Sequence, residues 1–104
     1  MVTGTNLVET RISLSAAELL AVAADPIRWK LLEQLTAGCS CVCNLQEQVR
    51  IPANLLSYHL KVLRDAGLIT SSRRGRWIDY TLAPGALDRL HAALPGSDGD
   101  SPVP

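Results

Sequence analysis

The cysteines of this chain are three in number and fall within five residues, as Cys39, Cys41 and Cys43. Packing alone gives no reason for this spacing, since small hydrophobic side chains would fill a core equally well. In an extended backbone, residues i, i+2 and i+4 point to one side, so the three sulfurs could converge on one point. Converging thiolates are the ligands that soft metal and metalloid ions prefer. The run therefore predicts an ion-binding site at these three residues.

The number of sulfurs narrows the choice of ion. Three ligands without an obvious fourth suit a trigonal, lone-pair ion such as As(III) or Sb(III), whereas structural Zn(II) sites nearly always take four. Three alternatives stay open: Cd(II), Pb(II) or Zn(II) with a borrowed ligand, a thiol redox sensor, and a site made only of Cys41 and Cys43. A helix predicted to follow, with Asn44 as its N-cap, should favour the thiolate of Cys43.

Four helices are predicted ahead of a β-hairpin. Capping residues and glycine or proline breaks indicate their bounds, which are approximately 13–23, 25–37, 44–50 and 53–66. Ser13 is the expected N-cap of the first helix, and Asp25 with Pro26 opens the second. The last two helices lie close together across the Ile51-Pro52 break, and the second of them is longer. This arrangement is typical of a helix-turn-helix.

Two strands and a final helix complete the predicted fold. The strands cover 68–72 and 77–82, with Arg73-Arg74-Gly75-Arg76 between them, and Pro84 opens a helix that Pro95 ends. The fold class is therefore mainly α with a β-hairpin wing, a winged helix-turn-helix, with a small unspecialised α+β domain as the alternative. We expect a flexible N-terminal arm at 1–12, the winged helix-turn-helix domain at 13–94 and a disordered tail at 95–104.

Composition restricts the function class. The chain has 104 residues, of which 47% are hydrophobic, and a formal net charge of zero. One domain is expected, and any nucleic-acid site must be local because no global basic surface exists. There is no apolar run long enough for a membrane helix and no signal-peptide pattern, so no membrane partner is expected. An odd number of cysteines favours a reducing cytoplasm.

Candidate DNA contacts lie on the longer helix and on the wing. The second helix of a helix-turn-helix enters the major groove, and arginines at a hairpin tip can reach phosphates or the minor groove. A solvated helix face or a protein-binding winged helix is the alternative for these residues. The predicted DNA-binding residues are Asn54, Leu55, Ser57, Tyr58, Lys61, Arg73, Arg74 and Arg76.

Three segments resemble the ArsR/SmtB family of small dimeric bacterial repressors that sense metals and metalloids. They are Ala24-Asp25-Pro26-Ile27-Arg28, Cys41-Val42-Cys43-Asn44-Leu45 and the run from Leu56 to Leu68, within a similarity that covers about 13–94. The resemblance implies a homodimer that binds a palindromic operator and leaves it when an inducer binds. It implies no enzyme, and the chain also lacks the βαβ core or phosphate loop of a thiol enzyme.

The resemblance also implies particular sites. The family's Cys-Val-Cys inducer motif matches Cys41 and Cys43, but Gln46 stands where the arsenic sensors have a third cysteine, which leaves Cys39 to replace it. Asp88 and His91 occupy part of a second family site, although a solvated pair is the simpler interpretation, and His59 is expected to be structural or DNA-facing. First and last helices form the family's dimer interface, here predicted to include Leu14, Ala17, Leu20, Leu87, Leu90 and Leu94.

Overall fold

The fold is known from a computed structural model that describes residues 14–38 and 40–96. Within these residues the chain forms five helices and three strands. In chain order they are α1 (Ala16–Ala24), α2 (Pro26–Thr36), β1 (Ser40–Cys41), α3 (Val42–Val49), α4 (Ala53–Asp65), β2 (Ile69–Arg74), β3 (Trp77–Leu82) and α5 (Ala86–Ala93). The predicted class, mainly α with a hairpin wing, is confirmed. The arm at 1–12 and the tail from residue 97 lie outside the described residues.

The sheet has three antiparallel strands in the order β1-β3-β2. Strands β2 and β3 form the predicted hairpin. Strand β1 was not predicted, because two residues carry no recognisable alternation. It pairs with the outer edge of β3, where Ser40 lies opposite Tyr80 and Cys41 lies opposite Asp79. The cysteine segment is thereby attached to the wing by backbone hydrogen bonds.

Aliphatic side chains from all five helices form one core. Four of the largest fully buried side chains are on helices, and the other two lie at the start of the hairpin. They are Leu31, Leu45, Leu56, Leu63, Leu68 and Ile69. Each stabilises the fold by about 1.5–3 kcal/mol relative to exposure. Trp29, Tyr58 and Trp77 are more than half exposed, so the aromatic rings contribute little to this core.

The first two helices begin at side-chain caps. Ser15, rather than Ser13, caps α1, and its hydroxyl and the Glu18 carboxylate form a reciprocal capping box. Ser13 lies outside the described residues. At α2 the prediction is confirmed: Asp25 Oδ1 accepts hydrogen bonds from the N–H groups of Ile27 (2.8 Å) and Arg28 (3.1 Å). Burial raises the pKa of Asp25, but these hydrogen bonds outweigh burial and leave the pKa below its usual value.

Helix α3 begins earlier than predicted, at Val42 instead of after Asn44. Cys41 is its N-cap, and Cys43 already belongs to its first turn. The earlier start brings Val42 against the core, one turn before the buried Leu45 and Val49. Among the described residues 40–43, Ser40 and Cys41 are extended and the next two are helical, so the expected alternation of sulfurs along a strand does not reach Cys43.

The hairpin and the last helix also differ from prediction at their ends. Strand β2 extends to Arg74, so Arg73 and Arg74 lie in the strand and only Gly75 and Arg76 form the tip. Helix α5 begins at Ala86 rather than Pro84, after a turn in which Gly85 has a φ of 77°. None of the helices in the described ranges is long and apolar enough to cross a bilayer.

Candidate functional site

Cys41 and Cys43 form a hydrogen-bonded thiol pair at the N-terminus of α3. Cys43 donates to the Cys41 sulfur, which lowers the pKa of Cys41, and the nearby backbone N–H of Asn44 lowers it further. The same hydrogen bond raises the pKa of Cys43. Cys41 is therefore the first of the two to become a thiolate. The helix N-terminus was predicted to favour the thiolate of Cys43; the backbone N–H groups of Asn44 and Cys43 do lower its pKa, but the hydrogen bond with Cys41 outweighs them.

The thiol pair is accessible to solutes. Cys41 is half-buried and Cys43 is exposed. Cys39 lies outside the described residues, so the predicted convergence of three sulfurs is not tested. Across 14–38 and 40–96, no three or more His, Cys, Asp or Glu side chains are grouped closely enough to hold a metal ion. Within that part of the chain, the soft ligands of the site are the two thiols.

Gln46 lies in α3, and its side chain reaches the turn between α3 and α4. Its Nε2 donates a hydrogen bond of 2.8 Å to the carbonyl oxygen of Ile51. Arg50 ends α3 in the left-handed conformation, with a φ of 55°. The side chain at position 46 thus closes the helix-turn-helix turn, which leaves Cys39 as the remaining thiol of the sequence that could join the pair.

A chain of contacts leads from the thiol pair to the wing. Cys41 pairs across the sheet with Asp79. Asp79 accepts from Arg74 twice, from Nε at 2.8 Å and from Nη2 at 3.2 Å. This hydrogen-bonded ion pair lowers the pKa of Asp79, while the Asp79 charge opposes ionisation of Cys41. Asp79 alone therefore connects the predicted wing residue Arg74 with Cys41 of the predicted ion site.

The predicted recognition helix, α4, has the expected two faces. Its buried face consists of Leu56, His59, Leu60 and Leu63. The five predicted DNA-binding residues of this helix are all exposed: Asn54, Leu55, Ser57, Tyr58 and Lys61. Lys61 forms an exposed ion pair with Asp65 at 2.8 Å, which contributes little to stability.

The wing presents its arginines to solvent. Arg73, Arg74 and Arg76 are all exposed, and they lie at or next to the hairpin tip. Arg74 differs from the other two because its guanidinium is engaged by Asp79. The structure thus provides one exposed face on α4 and one cationic edge on the wing.

Sequence reasoning missed the two arginines that hold α4 in place. Arg28 of α2 donates to His59 Nδ1 at 2.9 Å and to the Val22 carbonyl at 2.7 Å. Arg89 of α5 donates to the carbonyls of Gly67 at 2.9 Å and Ala66 at 3.1 Å, at the C-terminal end of α4. A cation there also offsets the negative end of the helix dipole. Arg28 lay within a family motif, but nothing local in the sequence indicated Arg89.

An apolar groove runs between α1, α2 and α5. Four of the six predicted dimer residues line it, together with the half-exposed Trp29; these four are Leu20, Leu87, Leu90 and Leu94. Its volume is about 440 Å³. Leu14 instead packs against the core, and Ala17 is exposed. Asp88 and His91 are both exposed, and His91 lines the same groove.

Comparisons with known proteins agree with this architecture. The model of the bacterial regulatory protein arsR family matches residues 25–71. The arsenical resistance operon repressor of Staphylococcus xylosus is 34% identical over 76 residues, which are 73% of this chain and 73% of the relative. The HTH-type transcriptional repressor SmtB of Mycobacterium tuberculosis is 41% identical over 69 residues, 66% of this chain. The chain spans about half (51%) of that relative's length.

Solved structures give the same result. The crystal structure of a possible transcriptional regulator for arsenical resistance has a TM-score of 0.68 and 40% identity, over 71% of this chain and 77% of that one. The matched family consists of regulatory proteins and not of enzymes. Its matched segment contains the N-cap of α2, the thiol pair and all of α4. The chain therefore belongs to the arsR family of bacterial regulatory proteins.

Proposed function

We propose that this protein is a DNA-binding transcriptional repressor that leaves its operator when As(III) or Sb(III) binds Cys39, Cys41 and Cys43. The observation that carries the proposal is the placement of the thiol pair. Cys41 and Cys43 lie at the first turn of α3, the first helix of the helix-turn-helix, and Cys41 is also paired with the wing strand β3. An ion bound there acts on both DNA-facing elements. A repressor of bacterial genes works in the cytoplasm, in agreement with reduced thiols.

Operator binding is supported by the exposed surface of α4 and by the wing. Asn54, Ser57 and Tyr58 are exposed and carry groups that hydrogen-bond to base edges or phosphates. Leu55 is 40% exposed although it is apolar, as expected of a side chain that meets a thymine methyl. Arg73 and Arg76 supply positive charge locally in a chain whose net charge is zero.

A homodimer is the second part of the proposal. Leu87 and Leu94 are 43% and 50% exposed, and they share an apolar groove with Leu20 and Leu90. An apolar surface of this kind is costly to leave in water and suits a second copy of the chain. A two-fold dimer places two α4 helices on successive major grooves of a palindromic site.

The choice of ion rests on sulfur chemistry and on relatives. Thiolate donors favour soft ions, and three of them without a fourth suit As(III) or Sb(III). Relatives named as arsenical resistance operon repressors, from Bacillus subtilis and Staphylococcus xylosus, support the same inducers. Because the pKa of Cys41 is lowered and that of Cys43 is raised, Cys41 is the first of the two sulfurs to bind, and the protons of the bound thiols leave with the hydroxyl groups of the arsenite as water.

Two routes can transmit binding to the DNA-facing elements. Drawing the sulfurs together pulls on the first turn of α3. Gln46 of the same helix is hydrogen-bonded to the connection between α3 and α4, so the movement can reach α4. It also pulls on β1 and so on Asp79 and Arg74 of the wing. Because the two half-sites must be read at a fixed spacing, small rotations of these elements lower affinity. An allosteric coupling of about 1–3 kcal/mol corresponds to release by roughly five- to 150-fold.

The proposal is tested by gel shift on the DNA upstream of the gene, titrated with As(III), Sb(III), Cd(II), Pb(II) and Zn(II). We expect operator binding that weakens with salt and is released by arsenite or antimonite at the lowest concentrations. Release by Cd(II), Pb(II) or Zn(II) alone would overturn the inducer assignment but not the repressor. DNA binding that depends neither on salt concentration nor on the DNA sequence would overturn the proposal that the protein is a repressor.

A redox sensor is the second candidate function, favoured by the hydrogen bond between the two sulfurs. A thiolate at Cys41 with a neighbouring thiol at Cys43 is a pair that oxidation could join. Hydrogen peroxide in place of arsenite distinguishes the two candidates. Release by peroxide that a reductant reverses, without release by arsenite, supports the redox sensor.

A further inference from the structure

Asp79 has a special place in the sheet. Within the described sheet, β3 is the central strand, and β1 pairs with it at two positions, Tyr80 and Asp79. Tyr80 packs against the core, so the side chain of the adjacent Asp79 lies on the opposite face. On that face Asp79 stands between Cys41 of β1 and Ser72 of β2. It is therefore next to the thiol pair on one side and to the other strand of the hairpin on the other.

The carboxylate of Asp79 orients the end of the hairpin. Arg74 is the last residue of β2, and it donates to Asp79 from Nε at 2.8 Å and from Nη2 at 3.2 Å. A two-point contact between a guanidinium and a carboxylate fixes the relative orientation of both groups as well as their distance. The Asp79 side chain is 17% exposed and that of Arg74 is 69% exposed. The carboxylate is thus the held partner, and the guanidinium is oriented by it.

Cys41, on the other side of Asp79, cannot move by itself. It is both the last residue of β1 and the N-cap of α3, so no loop separates the sheet from the helix at this point. An ion that draws the sulfur of Cys41 toward that of Cys43 displaces a residue whose backbone is paired with β3 at Asp79. The displacement therefore reaches the central strand of the sheet directly.

The route through α3 has a weaker connection. Gln46 of that helix donates one hydrogen bond, between neutral groups, to the carbonyl oxygen of Ile51. Hydrogen bonds between ionised groups are roughly twice as strong, and a two-point contact is also more specific in its geometry. We therefore expect the larger share of the movement to reach the wing through Asp79.

We propose that Asp79 is the positioning residue that couples the thiol pair to the wing, and that Arg74 serves this coupling instead of contacting a phosphate. The proposal deepens the function proposed above and rests on it, because it needs an operator complex that arsenite dissociates. Its three residues come from three strands, with Cys41 in β1, Asp79 in β3 and Arg74 in β2. Without the carboxylate, the end of the hairpin would no longer follow the movement of Cys41.

The first experiment measures how far arsenite lowers operator affinity, by fluorescence-anisotropy titrations of operator DNA with and without arsenite. Asp79→Asn keeps the size of the side chain but loses its charge and the two-point contact. We expect the decrease caused by arsenite to be at least roughly twofold smaller in Asp79→Asn than in the parent. The matched control is Glu47→Gln, which removes the same charge from an exposed position of α3 and should keep the parent's decrease.

Arsenite binding distinguishes coupling from damage to the thiol site. Ultraviolet absorbance of the arsenic–sulfur bonds follows arsenite binding to the protein with and without operator DNA. Without DNA, Asp79→Asn should bind arsenite as the parent does, because its cysteines are unchanged. In the DNA complex the variant should bind arsenite more tightly than the parent, by the same factor that the first experiment gives, since coupling between two ligands is reciprocal.

The possible failures can be told apart. An arsenite effect on operator affinity that is equal in Asp79→Asn and the parent overturns the coupling alone. Loss of arsenite binding by the DNA-free variant also overturns it, because Asp79 would then belong to the ion site itself. A parent complex that arsenite does not dissociate overturns the proposed inducer and, with it, this coupling.

A second experiment tests the assignment of Arg74 without an inducer. The slope of log affinity against log salt concentration changes by about 0.9 for each phosphate contact that is lost. The double variant with Arg74→Gln and Asp79→Asn removes the ion pair without changing the net charge, and it should keep the parent's slope. Arg76→Gln should lower the slope by about 0.9. A reduction of that size in the double variant shows that Arg74 contacts a phosphate and overturns the proposal.

Discussion

The thiol pair and the Arg28–His59 contact both act on the helix-turn-helix, yet they are built in opposite ways. The thiols are accessible, lie at an edge of the sheet and have unequal affinities for a proton. The Arg28–His59 contact is internal and joins three helices through one guanidinium. A site that must accept and release an ion needs access and spare ligand capacity. A contact that sets the angle of a helix needs burial and full satisfaction of its hydrogen bonds.

The largest difference between the two regions should appear on induction. Cys41→Ser and Cys43→Ser keep operator binding and lose the arsenite release, which we expect to be roughly five- to 150-fold in the parent. Arg28→Met behaves in the opposite way, with weaker binding that arsenite still reduces. Gel shifts with and without arsenite measure both. Ser variants that release DNA as the parent does would show that the thiols are not the input.

Stability should depend on the buried contact and little on the exposed thiols. Arg28→Met leaves His59 Nδ1 and the Val22 carbonyl without their donor, which should lower the free energy of unfolding by about 1–3 kcal/mol. Lys30→Met, on an exposed position of the same helix, is the matched control and should change it by less than about 0.5 kcal/mol. Urea unfolding followed by circular dichroism gives both values. Equal effects would contradict the role of the contact.

Arg89 provides an intermediate case, since it holds the same helix from a more exposed position. Arg89→Met removes two hydrogen bonds to the carbonyls of Ala66 and Gly67, directly after the last residue of α4. We expect a loss of about 1 kcal/mol in unfolding free energy. Thermal melts of the variant and the parent test this, and an unchanged melting temperature would show that Arg89 does not stabilise the end of α4.

Alkylation sharpens the description of the thiol pair. Exposure alone predicts that Cys43 reacts first. The hydrogen bond between the sulfurs predicts instead that Cys41 reacts first, because this bond lowers the pKa of Cys41 and raises that of Cys43. We expect iodoacetamide at neutral pH to label Cys41 several-fold faster, since the thiolate is the nucleophile. Peptide mass spectrometry with Cys39 counted separately measures the two rates. Faster labelling of Cys43 would contradict the assignment of Cys43 as the donor in the hydrogen bond between the two sulfurs.

The smallest expected effect concerns acid. The folded-state pKa of Asp25 lies below its usual value, so this carboxylate stabilises the fold above the unfolded-state pKa, and the stabilisation disappears as the pH falls through the folded-state value. Asp25→Asn keeps a good N-cap acceptor without the charge. Its stability should change less than the parent's across the acidic range. Unfolding curves of both proteins at acidic pH test this. If both proteins lost the same free energy of unfolding on acidification, groups other than Asp25 would be responsible.

Local rules were sufficient for much of the fold. The Asp25-Pro26 start of α2, the Gly67 end of α4 and the two faces of α4 follow from capping and from a 3.6-residue period, and each was predicted. The starts of α1, α3 and α5 were less accurate. At each of these ends a residue other than the predicted one is the cap: Ser15 for α1, Cys41 for α3 and Gly85 for α5.

The candidate site divides in the same way. Residue types and spacing alone indicated soft-ion chemistry at Cys41 and Cys43 and an exposed polar face on α4. Three features depended on the tertiary structure: the pairing of β1 with β3, the proton order within the thiol pair, and the arginines that hold α4. The Arg28–His59 and Arg89–Gly67 contacts span 31 and 22 positions. Periodicity and capping describe neighbours within about one helical turn, so contacts of that separation are decided only when the helices pack.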